Sequence, residues 1–184
     1  MKRIYIILTY SGTVLSRIVK AYTGAEYSHV SIGLDENLTM MYSFGRLNPY
    51  NPFRGGFVHE GINIGTFKRF KNTQTAVYSI IISDEQYNRL AQTIHKVETT
   101  SKKYKFNFIG LVAVALHMRI QRRRAFYCAE FVKYAMKKAQ IKNNLPDIVK
   151  PEDFLKLENM KLEYKGALKK YKVTEMYPLN VVNL

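Results

Sequence analysis

The spacing of apolar and polar positions changes several times along the 184-residue chain, and each change predicts an element. Residues 3–9 (Arg-Ile-Tyr-Ile-Ile-Leu-Thr) are rich in β-branched side chains and alternate weakly, which predicts a first strand. Ser11 is placed to cap a helix running to about Tyr22, with Val14, Leu15, Ile18 and Val19 on one face and Gly24 as the stop. Ser28–Leu34 alternates with period two, as a strand with one buried face does. Asp35-Glu36-Asn37 is turn chemistry, and Leu38–Phe44 reads as the returning strand of a hairpin.

Residues 45–56 carry two Asn-Pro steps and a double glycine, which argue for a loop and against a helix or central strand. A short strand over Phe57–Ile64 and a stronger one over Thr75–Ile82 follow. The next predicted element is a helix from Asp84 to about Thr99, with Ser83 as its cap and Gln86 as the reciprocal partner. Asn107–His117 reads as a buried helix. Phe126–Ile141 reads as an amphipathic one, with Phe131, Val132, Ala135 and Ala139 inward. Pro151 opens a short helix, and Leu162–Val173 reads as a terminal hairpin around Lys165-Gly166. No repeat or linker divides the chain, so residues 1–184 are expected to form a single α+β domain.

Composition adds three constraints. The single cysteine allows no internal disulfide, which fits a reducing compartment. The apolar run after Lys2-Arg3 is too short for a signal peptide, and Phe108–Leu116 is far short of the roughly 18–20 residues of a membrane span. A soluble, cytoplasmic protein is the expectation. The formal net charge of +15 favours anionic partners, and Thr99–Ala129 contains no acid while carrying Lys102, Lys103, Lys105, Arg119, Arg122, Arg123 and Arg124. No nucleic-acid motif accompanies that charge and the aromatics are not interleaved for stacking, so nucleic acid is an unexpected partner, while peripheral contact with an anionic membrane stays open. No metal or nucleotide fingerprint is present, and neither a metal nor another cofactor is expected.

The candidate chemistry centres on Cys128, where Arg122-Arg123-Arg124 runs through Ala125-Phe126-Tyr127 into the helix. A thiol at a helix start with positive charge upstream is set up as a nucleophile. Such a thiol needs a base, a polar group to orient the base, and donors for an oxyanion. Of the four histidines, His117 lies in an apolar run and His95 on a surface helix, while His59 sits beside Glu60 in an ambiguous region. His29 is different: it shares a small, polar strand face with Ser31 and Gly33, which leaves room for a substrate or a second element. A three-residue loop at 35–37 would place Leu34 opposite Leu38 and His29 opposite Ser43; a two-residue turn would put Phe44 there instead.

Tyr27-Ser28-His29-Val30-Ser31-Ile32-Gly33-Leu34, followed about 100 residues later by Phe126-Tyr127-Cys128-Ala129-Glu130-Phe131-Val132, resembles the circularly permuted NlpC-type papain-like cysteine hydrolases. The likeness is to the YiiX/YaeF-like amidase branch, related to the lecithin:retinol acyltransferase-like proteins, and covers roughly residues 3–140. It implies a papain-like antiparallel sheet packed against helices, with the nucleophile at a helix N-terminus and the strand histidine preceding the cysteine. By position, Cys128 would be the nucleophile and His29 the base. The family's third polar residue falls near Ser43, with Glu60 the alternative orienter and His59 behind it; Tyr104 and Tyr127 are candidates to assist the oxyanion or order the cleft. The implied activity is hydrolysis or acyl transfer at an amide or ester of a peptide, cell-wall fragment or lipid-like substrate, with the net charge favouring an anionic one. Serine in the orienting position departs from the family's usual Glu, Gln, Asn or His, which keeps open a papain-like binding module without turnover, beside a basic protein that associates with polyanions.

Overall fold

The computed structural model describes residues 1–107, 110–111 and 124–172. Its centre is a six-stranded sheet, antiparallel at every pairing, in the spatial order β4-β3-β2-β1-β5-β8. The strands are β1 (Lys2–Tyr10), β2 (His29–Gly33), β3 (Met41–Asn48), β4 (Asn51–Glu60), β5 (Gln74–Ile82) and β8 (Met160–Ala167). Two short strands, β6 (Lys105–Phe106) and β7 (Ala125–Phe126), pair in parallel beside it. The helices are α1 (Val14–Thr23), α2 (Gly65–Arg69), α3 (Asp84–Thr99) and α4 (Cys128–Lys138). No helix among the described residues is long and apolar enough to cross a membrane.

The period-two pattern divides β1 between two cores. Ile4, Ile6 and Leu8 join Val30, Ile32, Phe44 and Ile80 on one face, where Leu90 and Ile94 of α3 and Phe131, Val132 and Ala135 of α4 close the main core. Tyr5 and Ile7 point the other way, towards Met41, Val77, Leu168 and Phe67 of α2. Both faces of β1 are therefore buried, and its near-continuous apolar run follows from a central position in the sheet.

Local chemistry sets several boundaries where the sequence placed them. Ser83 Oγ accepts from Gln86 N at 3.1 Å while Gln86 Oε1 accepts from Ser83 N at 3.0 Å, the expected reciprocal cap of α3. Gly24 ends α1 in the left-handed region, φ 68°, with its N–H on Lys20 O. Phe131, Val132, Ala135 and Ala139 are all inaccessible to solvent.

Other expectations are corrected. Thr13 rather than Ser11 caps α1, accepting from Ser16 N at 3.2 Å, so Val14 becomes the first helical residue and is 74% exposed instead of buried. Residues 45–56 are mostly strand: β3 runs on to Asn48 and β4 starts at Asn51, so the first Asn-Pro step makes the turn, where Asn48 Oδ1 accepts from Tyr50 N at 2.8 Å. β4 tolerates Pro52 and its glycines because it is the sheet edge, with one side free of ladder bonds. The described part of Leu162–Val173 does not form a hairpin; its residues to Ala167 belong to one strand that pairs with β5, Gly166 opposite Thr75. The expected helix from Asn107 and the residue His117 fall largely or wholly outside the described residues.

Replacing Ser83 with alanine removes the cap of α3, which stands apart from the cleft. Thermal or denaturant unfolding is expected to show a loss of about 1 kcal/mol, with no change in the rate at which Cys128 is alkylated.

Candidate active site

The β2–β3 connection is longer than a three-residue loop. Ile32 pairs with Tyr42 and Gly33 with Met41, and Leu34 N donates to Met40 O at 3.0 Å. Asp35 organises this loop, its carboxylate accepting from Thr39 N, Thr39 Oγ1 and Met40 N at 3.0, 2.8 and 2.6 Å. The pairing is thus moved by two residues from the expected one. A two-residue shift preserves facing, so His29, Ser31 and Ser43 stay on one side of the sheet. It brings Ser43 level with Ser31, however, and away from His29.

The group that reaches His29 is Glu60, the last residue of β4. Its Oε1 and Oε2 lie 3.0 and 3.3 Å from His29 Nε2, and Ser31 Oγ donates to Oε2. The carboxylate crosses β3 where that strand is narrow: a Cβ added to Gly45 would stand 3.5 Å from each of Glu60 Oε1, His29 Cε1 and Ser43 Oγ. Phe67 of α2 meets the imidazole edge-on, its ring centroid 6.5 Å away. The Glu60 side chain is 10% exposed and that of His29 is 22% exposed, so a charged pair here is largely removed from water.

Cys128 is the first residue of α4 and is 5% exposed. Several contacts fix this start. β6 and β7 hold the preceding residues, with Lys105 N on Arg124 O and Asn107 N on Phe126 O, both at 2.9 Å. Glu130 folds back on the helix start, accepting from Tyr127 N at 3.2 Å and from Asn107 Nδ2 at 3.3 Å. The thiol shares a cleft with His29, Glu60, Gly45 and Phe67, whose cavity volume is about 70 Å³. That is room for several water-sized groups.

The electrostatics tie the three side chains together. Burial alone would push the His29 imidazole down; the Glu60 carboxylate and then Cys128, each also a hydrogen-bond partner, push it up to about 10. Burial would raise the Glu60 carboxyl, but the imidazolium charge and hydrogen bonds from His29 and Ser31, with Ser43 close by, hold it below the ordinary carboxylate value. At neutral pH His29 is therefore a cation between two acidic groups.

The remaining sequence candidates fall as follows. Ser43 is fully buried beside Glu60 and its Oγ makes no hydrogen bond of good geometry, so it favours the ionised carboxylate through proximity rather than orienting His29; the longer loop is the cause. His59 lies on the neighbouring position of β4, its Nε2 2.8 Å from Thr39 O and its ring stacked on Tyr42 at 5.0 Å. Tyr127 lines the cleft, but its hydroxyl donates to Val149 O at 2.9 Å and is not directed at a substrate oxygen. Tyr104 packs in the aromatic cluster, stacked on Phe126 at 5.8 Å and edge-on to Phe44 at 6.5 Å. Among the described residues, no group of three or more His, Cys, Asp or Glu side chains is placed to hold a metal ion. Glu60 had one signal in the sequence: it is the only acid between Glu36 and Asp84.

No protein-family model matches the chain, and no curated protein matches it.

The raised value of His29 sets the sign of a stability effect. Because the folded state holds this proton more tightly than the ordinary value of 6.5, the stabilisation is full below that pH and is lost as the pH rises to about 10. Glu60→Gln removes the partner charge. The stability difference between wild type and E60Q is expected to be greatest between about pH 5 and 6.5, on the order of 3 kcal/mol, and to shrink towards pH 10. Denaturant unfolding across that range checks it.

Proposed function

We propose that the protein is a cysteine-dependent hydrolase or acyltransferase acting on an amide or ester bond, with Cys128 as nucleophile, His29 as acid and base, and Glu60 as the residue that positions and charges His29. The observation that carries this reading is the imidazole set between a buried carboxylate and a thiol at a helix start, in one cleft. The reading adopts the permuted papain-like resemblance, with Glu60 taking the third place that position alone gave to Ser43. The six-stranded antiparallel sheet with α4 packed on β2 and β3 is compatible with that likeness.

The proposed sequence begins from thiolate and imidazolium. Cys128 Sγ attacks the carbonyl carbon, an S–C bond forms, and the carbonyl π electrons move to oxygen. The N–H groups of the first turn of α4 have no acceptor within the helix, so this turn supplies donors for the oxyanion. Collapse of the intermediate breaks the C–N or C–O bond, and His29 gives its proton to the departing nitrogen or oxygen. In the thioester the cysteine no longer carries charge, so one of the two influences that raise His29 is gone. The neutral imidazole then accepts a proton from water, or from an acceptor alcohol or amine, as that nucleophile attacks the thioester. Expulsion of the thiolate releases the product and restores the charge pair. Glu60 stays ionised throughout and keeps Nε2 engaged, leaving the other ring nitrogen for chemistry.

The test is the reactivity of Cys128 towards iodoacetamide. The rate is expected to depend on the imidazole, so that His29→Ala slows the reaction. At pH 6 the wild type should react about tenfold faster. E60Q should fall between them. Equal rates and equal pH profiles in wild type and H29A would falsify an activated nucleophile.

A further inference from the structure

The cleft holds a cation whose charge the proposed chemistry does not use. Arg46 of β3 lines the same cavity as Cys128 and His29, and its side chain is half-buried. Among the described residues it has no carboxylate partner. Its guanidinium instead rests 5.6 Å from the Phe70 ring centroid, and the charge that acts on it is another guanidinium, that of Arg69. Arg69 is itself held in place, 4.0 Å over the Tyr50 ring and donating to Pro49 O at 2.7 Å. Burial and this like charge both lower the Arg46 value from its ordinary one. An unneutralised, partly desolvated cation beside a second cation is unfavourable unless an anion visits it.

A second observation points the same way. Thr9 and Ser28 line the cleft, and their hydroxyl oxygens are buried with no hydrogen-bond partner among the described residues. Thr9 stands opposite His29 in the β1–β2 ladder. The nearby hydroxyls of Thr13 and Ser16 are already used at the start of α1. Two buried hydroxyls beside a cavity, without partners, are donors that an acceptor bound there can engage. The irregular pairing after Arg46, where β3 and β4 change register between Arg46 and Asn48, is the kind of feature that re-aims a side chain next to a site.

We propose that Arg46, with Thr9 and Ser28 as hydroxyl donors in the same cleft, reads an oxyanion on the substrate, so that the amide or ester acted on carries a carboxylate or phosphate near the scissile carbonyl. This rests on the assignment of Cys128 and His29 as the reacting pair, and it gives that site a substrate class. A guanidinium fork suits either oxyanion, since both accept two parallel N–H bonds.

The experiment compares two alkylating agents of similar size on the intact protein. Each reacts by thiolate displacement of iodide, forming an S–C bond; iodoacetate carries a carboxylate and iodoacetamide does not. The ratio of their rates at Cys128 is expected to favour iodoacetate in wild type and to fall about fivefold in Arg46→Gln at low ionic strength. Inorganic phosphate, at fixed ionic strength, is the second arm: slowing of the iodoacetate reaction in wild type but not in R46Q identifies a phosphate reader. Either result supports the subsite, and its absence in both arms overturns it. Arg46→Lys keeps the charge and should keep most of the preference. Equal loss in R46K and R46Q would trace the effect to packing against Phe70 and overturns the subsite too. Failure of the reacting pair looks different, because iodoacetamide would then show no dependence on His29.

Discussion

The site depends on a buried negative charge. Glu60 is mostly removed from water, and a lone carboxylate in such a place would be costly enough to stay protonated. It remains ionised because His29 and Ser31 converge on its oxygens, with Ser43 beside it. Each partner comes from a different strand or from a different position on one strand, so the charge is affordable only when β2, β3 and β4 are assembled in their native register. The pair thereby links the folding of one half of the sheet to the protonation state of His29. Its stabilising worth in isolation is limited by desolvation. What it fixes is a cationic imidazole at the mouth of a cleft.

The rest of the architecture brings a thiol to that imidazole. β1 is covered on both faces and supplies the rigid centre, and β2 pairs along it so that Thr9 is level with His29. α4 lays its apolar stripe on β2 and β3, and the β6–β7 pair with the Asn107–Glu130 contact determines where the helix starts. Cys128 is therefore placed by main-chain and carboxylate contacts around it together with its own hydrogen bond to His29. Gly45 lies where Glu60, His29 and Ser43 meet, and a Cβ there would make ordinary van der Waals contact with all three, so a side chain reaching beyond Cβ would crowd them.

Charge has a more local meaning than the total suggests. A net +15 spread over 184 residues says only that anions are attracted. The structure separates solvated lysines, such as Lys161 and Lys165 paired with Glu163 and Glu26, from Arg46, which is half-buried at the cleft and pairs with no carboxylate among the described residues. A cation in the second situation discriminates among ligands, because its attraction is not averaged away by water and salt.

What was legible in the sequence is what neighbouring residues decide among themselves. Ser83 and Gln86 cap each other within one turn, Gly24 alone permits the left-handed stop of α1, and the apolar stripe of α4 repeats at helical spacing whatever lies opposite. The thiol at a helix start and the small polar face of β2 could be read for the same reason. The chain could not say which side chain meets His29, because that follows from the length of a loop and the order of strands. Asp35 collects three donors and lengthens the 35–39 connection, which moves Ser43 two residues along. Prolines that argued for a loop prove tolerable because β4 lies at the edge, and the segment around Lys165-Gly166 is drawn into one strand by β5. Sequence thus determined most of the elements and the thiol at a helix start; tertiary pairing chose Glu60 as the partner of His29, since a buried charge is stable only where non-local strands deliver its hydrogen bonds together.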